Sequence, residues 1–136
     1  MDPDAFQVPK EEGLIEWFES FLDEIPNEDE LSLVAEIDGE VAGSLEAKIQ
    51  QPDDTSSYQL LRDLGETRMV VNALEVDPAR WRSGVGTALM KAAERWARGR
   101  GAMTSSLDTY AGSPVSVPFY EKLGYVRHSI KFRKHF

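Results

Sequence analysis

The 136-residue chain contains no cysteine. That excludes disulfides, zinc–thiolate centres and any route through a cysteine acyl-enzyme. Histidine is scarce. His128 and His135 stand near the C-terminal end with no carboxylates grouped beside them, so no metal site is expected. No run approaches the roughly 18 apolar residues of a membrane span. The acidic start, Met1-Asp2-Pro3-Asp4, lacks the basic character of a signal peptide. These absences point to a cytoplasmic protein that does not engage a membrane. Basic residues are nearly missing from the first half: residues 1–66 hold 19 acids against three bases, a net −16, while residues 67–136 carry +7. Such a division suggests an anionic ligand on one side and a cationic one on the other, unless the two surfaces differ by accident.

What is present fits one domain spanning residues 1–136, with 41% hydrophobic residues to build its core. Leu14, Ile15, Phe18, Phe21, Leu22 and Ile25 repeat at helical spacing, which predicts a helix over Lys10–Ile25. Leu31–Ile37 and Val41–Ile49 read as strands joined at Asp38-Gly39, a two-residue hairpin signal. Tyr58, Leu60, Leu61 and Leu64 hint at a short helix in an otherwise polar, turn-rich stretch. Arg68–Val76 is a third strand, stopped by Asp77-Pro78. Ser83–Arg98 carries an apolar stripe of Val85, Leu89, Ala92, Ala93 and Trp96, the mark of an amphipathic helix. A strand over Ala102–Thr109, a short helix near Val117–Leu123 and a last strand over Tyr125–Phe132 complete the order. The third and fourth strands, linked by a helix, should lie parallel in a mixed α/β sheet.

The chemistry concentrates between Val76 and Leu89. A strand ends, a glycine-containing loop follows and a long helix begins, so unpaired amides and the positive end of the helix dipole face the loop. Gly84 and Gly86 allow close approach of an anion, and Arg80 and Arg82 add full charge. These features make a diphosphate cradle. The alternative is that both glycines serve only a tight turn and close helix packing. A dinucleotide fingerprint would need glycine at Leu89, and a P-loop would need Gly-Lys-Ser/Thr; neither is present.

The run Asn72-Ala-Leu-Glu-Val-Asp-Pro78, then Gly84-Val-Gly86, an amphipathic helix and Phe119-Tyr-Glu-Lys-Leu-Gly-Tyr125 resembles the GNAT acetyltransferases over about residues 30–130. The resemblance implies a GNAT-like fold with splayed central parallel strands. It implies acetyl-CoA as acetyl donor, its pyrophosphate on the loop amides and its pantetheine arm along the strand before the loop. By matching position, Leu74, Val76, Arg82, Ser83, Gly84, Val85, Gly86, Thr87 and Ser113 inherit cofactor contacts. Trp81 stands where the family pattern has arginine or glutamine, and Ser113 and Ser116 replace the asparagine and alanine that usually precede Phe-Tyr. Pro118 moves the expected start of that helix to Ser116.

The implied activity is acetyl transfer from acetyl-CoA to a primary amine, by direct attack in a ternary complex. Tyr120 is the candidate acid, because a phenol near pKa 10 is well placed to protonate an alkyl thiolate. The competing reading makes it a core aromatic like Phe119. A backbone amide near Leu74–Val76 would donate to the oxyanion. Glu75 is the candidate base and Asn72 a holder of water, with Glu46 behind them. The acceptor is a small amine or peptide, and a homodimer is possible on this reading. Two other classes remain open: a CoA-binding sensor or regulatory module without catalysis, and a nucleic-acid binder using the basic half. The strong acidity elsewhere and the lack of interleaved aromatic and basic residues oppose the last.

Overall fold

The computed structural model describes residues 28–52 and 65–136. The helix expected over Lys10–Ile25 and the short one suggested near Tyr58–Leu64 lie outside the described residues. Strands β1 (Glu30–Ile37) and β2 (Glu40–Gln50) form the expected antiparallel hairpin. Its turn places Asp38 at φ 52 and Gly39 at φ 80, the two positive values that a tight primed turn requires. Strand β3 (Arg68–Val76) pairs antiparallel with β2. Helix α1 (Val85–Gly99) then carries the chain to β4 (Thr104–Leu107), which lies parallel to β3. The four-stranded sheet has the order β1-β2-β3-β4. A short helix α2 (Ser116–Lys122) follows. No helix among the described residues is long and apolar enough to cross a membrane.

The core lies between α1 and the sheet. Ala42, Leu45, Ala47 and Ile49 of β2 meet Met69 and Val71 of β3 beneath Val85, Leu89, Met90, Ala93 and Ala97 of α1. Leu45, Met69 and Met90 are fully enclosed. Each such side chain contributes about 1.5–3 kcal/mol relative to exposure.

Register explains where the sheet opens. Val70 faces Lys48 and Val71 faces Ala47, but Glu46 faces Ala73, so Asn72 is an extra residue in β3 with no partner opposite. A bulge of this kind bends its strand and reverses the alternation of side chains beyond it. Met69 and Val71 point into the core before the bulge, whereas Leu74 and Val76 pack against it afterwards. Pairing of β3 with β4 ends at Val71 and Leu107. Beyond that point β3 continues to Val76 with β2 alone.

Several expected boundaries change for physical reasons. The fourth strand is Thr104–Leu107 rather than Ala102–Thr109, because β3 turns away after the bulge and leaves nothing to pair with. Helix α1 starts at Val85 rather than Ser83, since Arg82 and Gly84 sit at positive φ. Helix α2, by contrast, starts at Ser116 as expected, where Pro118 falls in the first turn and costs no hydrogen bond. The last strand, expected over Tyr125–Phe132, is not formed among the described residues: residues 125–136 pair with no strand there, although they keep the alternating pattern of one. Alternation supplies a face, but a strand also needs a ladder partner.

Gly43 sets how closely α1 approaches the sheet. A Cβ there would lie 2.7 Å from the Glu75 carbonyl oxygen and 3.1 Å from Val85 Cγ1. Gly43→Ala is therefore expected to lower stability by about 1–3 kcal/mol, the usual cost of overpacking. Denaturant unfolding checks this, and an unchanged midpoint would mean that the strand and helix shift apart freely.

Candidate active site

The site begins with the parting of β3 and β4. A cavity of about 310 Å³ occupies the gap, lined by Val71 to Glu75 on one side and Leu107, Asp108 and Thr109 on the other, with Ser116 and Tyr120 of α2. A second, of about 210 Å³, shares Val71, Asn72, Leu107 and Asp108 with the first. These shared residues form the throat of a V-shaped opening between the strands.

Asn72 and Glu75, singled out from sequence, both line the larger cavity and are exposed. Leu74 lines it as well. Val76 lies beyond the lining and packs against the core, and its carbonyl accepts a hydrogen bond from Trp81 Nε1 at 2.9 Å. Trp81 thus pins the loop to the end of β3. Asp108 escaped the sequence reading. Its signal was positional: it follows the last residue of a parallel strand, at the carboxyl end where open α/β sheets gather their ligands.

The loop after β3 is built by local hydrogen bonds. Asp77 Oδ1 accepts from the Ala79 amide at 3.1 Å and starts a single 3-10 turn, Pro78–Arg80. Arg80 reaches Glu40 on the hairpin at 3.6 Å. The Ser83 hydroxyl donates to the Arg80 carbonyl. Gly84, at φ 89, then caps α1 with no side-chain hydrogen bond, and the first turn holds no acid. The amides of the first turn have no carbonyl of their own helix to bond, and Arg82, Ser83 and Gly84 beside them are exposed.

Gly86 has a packing role beside the one its motif suggests. A Cβ at Gly86 would stand 3.1 Å from Phe119 Cζ and 3.5 Å from Val76 Cγ2. Its missing side chain makes room for the Phe119 ring, which brings α2 against the start of α1. Close packing is thus one structural reason for glycine at this position. Ser113 Oγ accepts from the Ser116 amide at 3.0 Å and so starts α2. His128 and His135 are exposed, and no metal-binding group of histidines and carboxylates exists among the described residues.

Two phenols of one motif have contrasting surroundings. The Tyr120 ring packs edge-on against Phe119 at 5.0 Å and Tyr125 at 5.9 Å. Its hydroxyl has no hydrogen-bond partner among the described residues, and burial raises its pKa above the usual 10.0. Tyr125 instead ties three elements together. Its hydroxyl donates to Glu94 Oε1 of α1 at 3.1 Å and lies 2.8 Å from Ser105 Oγ of β4, which donates in return. Burial, reinforced by the Glu94 charge, pushes its pKa up to about 12, against the lowering effect of Ser105.

Because Tyr125 holds its proton more tightly folded than unfolded, its contribution to stability is complete below pH 10 and disappears as the pH rises toward 12. Tyr125→Phe should therefore be less stable than the parent near neutral pH, and the gap should narrow between pH 10 and 12. Urea unfolding across that range checks this. A gap independent of pH would mean that Tyr125 titrates normally.

The sequence matches the profile described as the acetyltransferase (GNAT) family over residues 3–125. No curated protein matches the chain. Among solved structures, a transcriptional regulator from Bacillus halodurans is similar with a TM-score of 0.71 and 23% identity, covering 90% of this chain and 76% of that one. The apo aminoglycoside antibiotic 6'-N-acetyltransferase AAC(6')-IG from Acinetobacter haemolyticus follows at 0.66 and 21%, covering 98% and 87%. AAC(6')-Iy, solved with the bisubstrate analogue CoA-S-monomethyl-acetylneamine, gives 0.67 and 19%, covering 98% and 86%. At these identities the likenesses show a shared fold.

Proposed function

The chain belongs to the GNAT acetyltransferase family, and from that footing we propose that it transfers an acetyl group from acetyl-CoA to a primary amine by direct attack. One observation carries the reading: β3 and β4 part beyond Val71 and Leu107, and the gap is lined by a β3 edge, Tyr120 and Asp108. In this reading the pantetheine arm extends along that edge, where amides and carbonyls not paired with β4 can bond it. The pyrophosphate meets the first-turn amides of α1 and the exposed Arg82, with Ser83, Gly84, Val85, Gly86 and Thr87 around it. Val76 contributes through packing, since its carbonyl is engaged by Trp81.

The acceptor amine must arrive neutral at nitrogen. The nitrogen lone pair forms the C–N bond at the thioester carbon, and Glu75, through a water held by Asn72, takes the proton that the nitrogen sheds as that bond forms. An amide on the β3 edge near Leu74 donates to the oxyanion. The C–S bond breaks as the intermediate collapses, and Tyr120 delivers its proton to the departing thiolate. A raised phenol pKa keeps that proton in place at neutral pH. Asp108, at the throat, holds the cationic part of an acceptor. The −16 charge of residues 1–66 supports a neutral or cationic acceptor, drawn in by a field that salt weakens.

Release of free thiol from acetyl-CoA across a library of amines tests the activity. With the best acceptor, Tyr120→Phe is expected to reduce kcat by about 10²–10⁴-fold while CoA affinity changes little. An undiminished kcat would make Tyr120 a packing residue. Should CoA bind while no amine releases thiol, the domain would be a CoA-responsive module instead.

The diphosphate assignment has its own test. Thr87 lies in the first turn of α1, where an acid favours the helix by about 0.3–1 kcal/mol. Thr87→Glu should leave the protein as stable or slightly more so, yet weaken CoA binding by roughly ten- to a hundredfold through like-charge repulsion. Calorimetry showing unchanged affinity would move the diphosphate away from α1.

A further inference from the structure

The loop between β3 and α1 is tied to the rest of the molecule at few points. The Asp77 amide bonds to the Ala42 carbonyl at 2.9 Å, so the chain leaves the sheet only after that residue. The next amides bond within the loop: Ala79 to Asp77 Oδ1, Arg80 to the Asp77 carbonyl, Trp81 to the Pro78 carbonyl and Ser83 to the Arg80 carbonyl. Among the described residues two side chains reach out of it. Arg80 meets Glu40 at 3.6 Å, but that carboxylate is 78% exposed, and ion pairs of this kind contribute little. Trp81 Nε1 donates to the Val76 carbonyl at 2.9 Å, the usual length of a well-made bond.

The backbone that this bond holds is strained. Arg82 sits at φ 65, a left-handed conformation that is costly to a residue with a Cβ. Gly84, at φ 89, adopts the same region freely. The chain therefore turns sharply at Arg82 without the help of glycine, and a loop set loose from β3 would relax there. The Arg82 guanidinium and the first amides of α1 would then no longer face one ligand together. The Trp81 ring is 52% exposed, so the indole is tied to the fold by its N–H more than by burial.

We propose, on the acetyl-CoA reading of this site, that Trp81 is the positioning residue of the diphosphate loop and that it acts through its indole N–H rather than its ring. The Val76 carbonyl is a suitable anchor because it ends the strand along which the pantetheine arm is assigned. One hydrogen bond thus fixes the start of α1 relative to the β3 edge. Its loss should weaken donor binding and leave the chemistry at the thioester, which lies further back along β3, to proceed once the donor is bound.

Two variants separate the donor from the ring. Trp81→Phe keeps an aromatic ring and loses the N–H. Trp81→Gln loses the ring and keeps an N–H the same number of bonds from the backbone. Calorimetry should show CoA binding roughly tenfold weaker in Trp81→Phe, the upper range for one net hydrogen bond, and close to the parent in Trp81→Gln. With the best acceptor, KM for acetyl-CoA should rise in Trp81→Phe while kcat at saturating donor is kept. Equal affinity in all three proteins overturns the proposal, and so does an equal loss in both variants, which would give the role to the ring. A parent that binds no CoA removes the acetyl-donor reading instead, together with any effect of Trp81 on affinity. Amide hydrogen exchange without CoA reads the loop itself. The Ser83 amide should exchange roughly tenfold faster in Trp81→Phe, and adding Arg82→Gly, which removes the cost of the left-handed turn, should slow it again. Unchanged exchange in Trp81→Phe would show that the bond holds nothing in place.

Discussion

The parting of β3 from β4 governs the rest of the molecule. Two parallel strands pair for four residues and then diverge because β3 carries one residue more than its other neighbour can match. Asn72 is that residue. The bulge does three things together: it turns Leu74 and Val76 toward the core, brings Asn72 and Glu75 to the cavity wall, and leaves a length of β3 edge without β4 opposite it. Backbone groups at such an edge need a partner from water or a ligand. An extended ligand with its own amides suits that need better than a compact one.

The second organising feature is the start of α1, and it depends on the first. Val76 can pack against the core only because the bulge reversed the alternation, and Trp81 then fastens the loop to the Val76 carbonyl. From there Asp77, Ser83 and Gly84 lead the chain into a helix whose first amides are uncapped by any side chain. The edge and the helix start thus belong to one continuous run of chain. A ligand carrying both a peptide-like arm and a diphosphate can use both ends of it, which is why the proposed acetyl donor fits this site.

Much of this was legible in the sequence, for identifiable reasons. Asp38-Gly39 announced its turn because few residue pairs tolerate two positive φ values. Arg68–Val76 was bounded correctly because proline ends a strand wherever it removes a donor. The order of the described elements from β1 to α2 followed from periodicity and turn residues. The bulge was not read, although the apolar positions shift from Met69 and Val71 to Leu74 and Val76. One unmatched residue is visible only when the partner strand is known. The packing at Gly86 was hidden in the same way: a glycine beside an anion and a glycine beneath a ring are identical in sequence. The last strand failed as an expectation because side-chain alternation is a local property, whereas pairing depends on which edge is within reach.

Tyr120 and Tyr125 show how far position alone can assign roles. They stand five residues apart in one motif, both half-buried and both with raised pKa. Tyr125 spends its hydroxyl on Glu94 and Ser105, bridging α1 and β4, so that proton is committed to holding the fold. The Tyr120 hydroxyl has no such partner among the described residues, and its ring lines the cavity. A phenol partly withdrawn from water without a hydrogen bond is a cost to the folded state. A ligand atom that accepts its proton removes that cost. The phenol whose bonds are already made is therefore a structural one, and the phenol with no partner among the described residues is the one that the proposed mechanism uses for proton transfer.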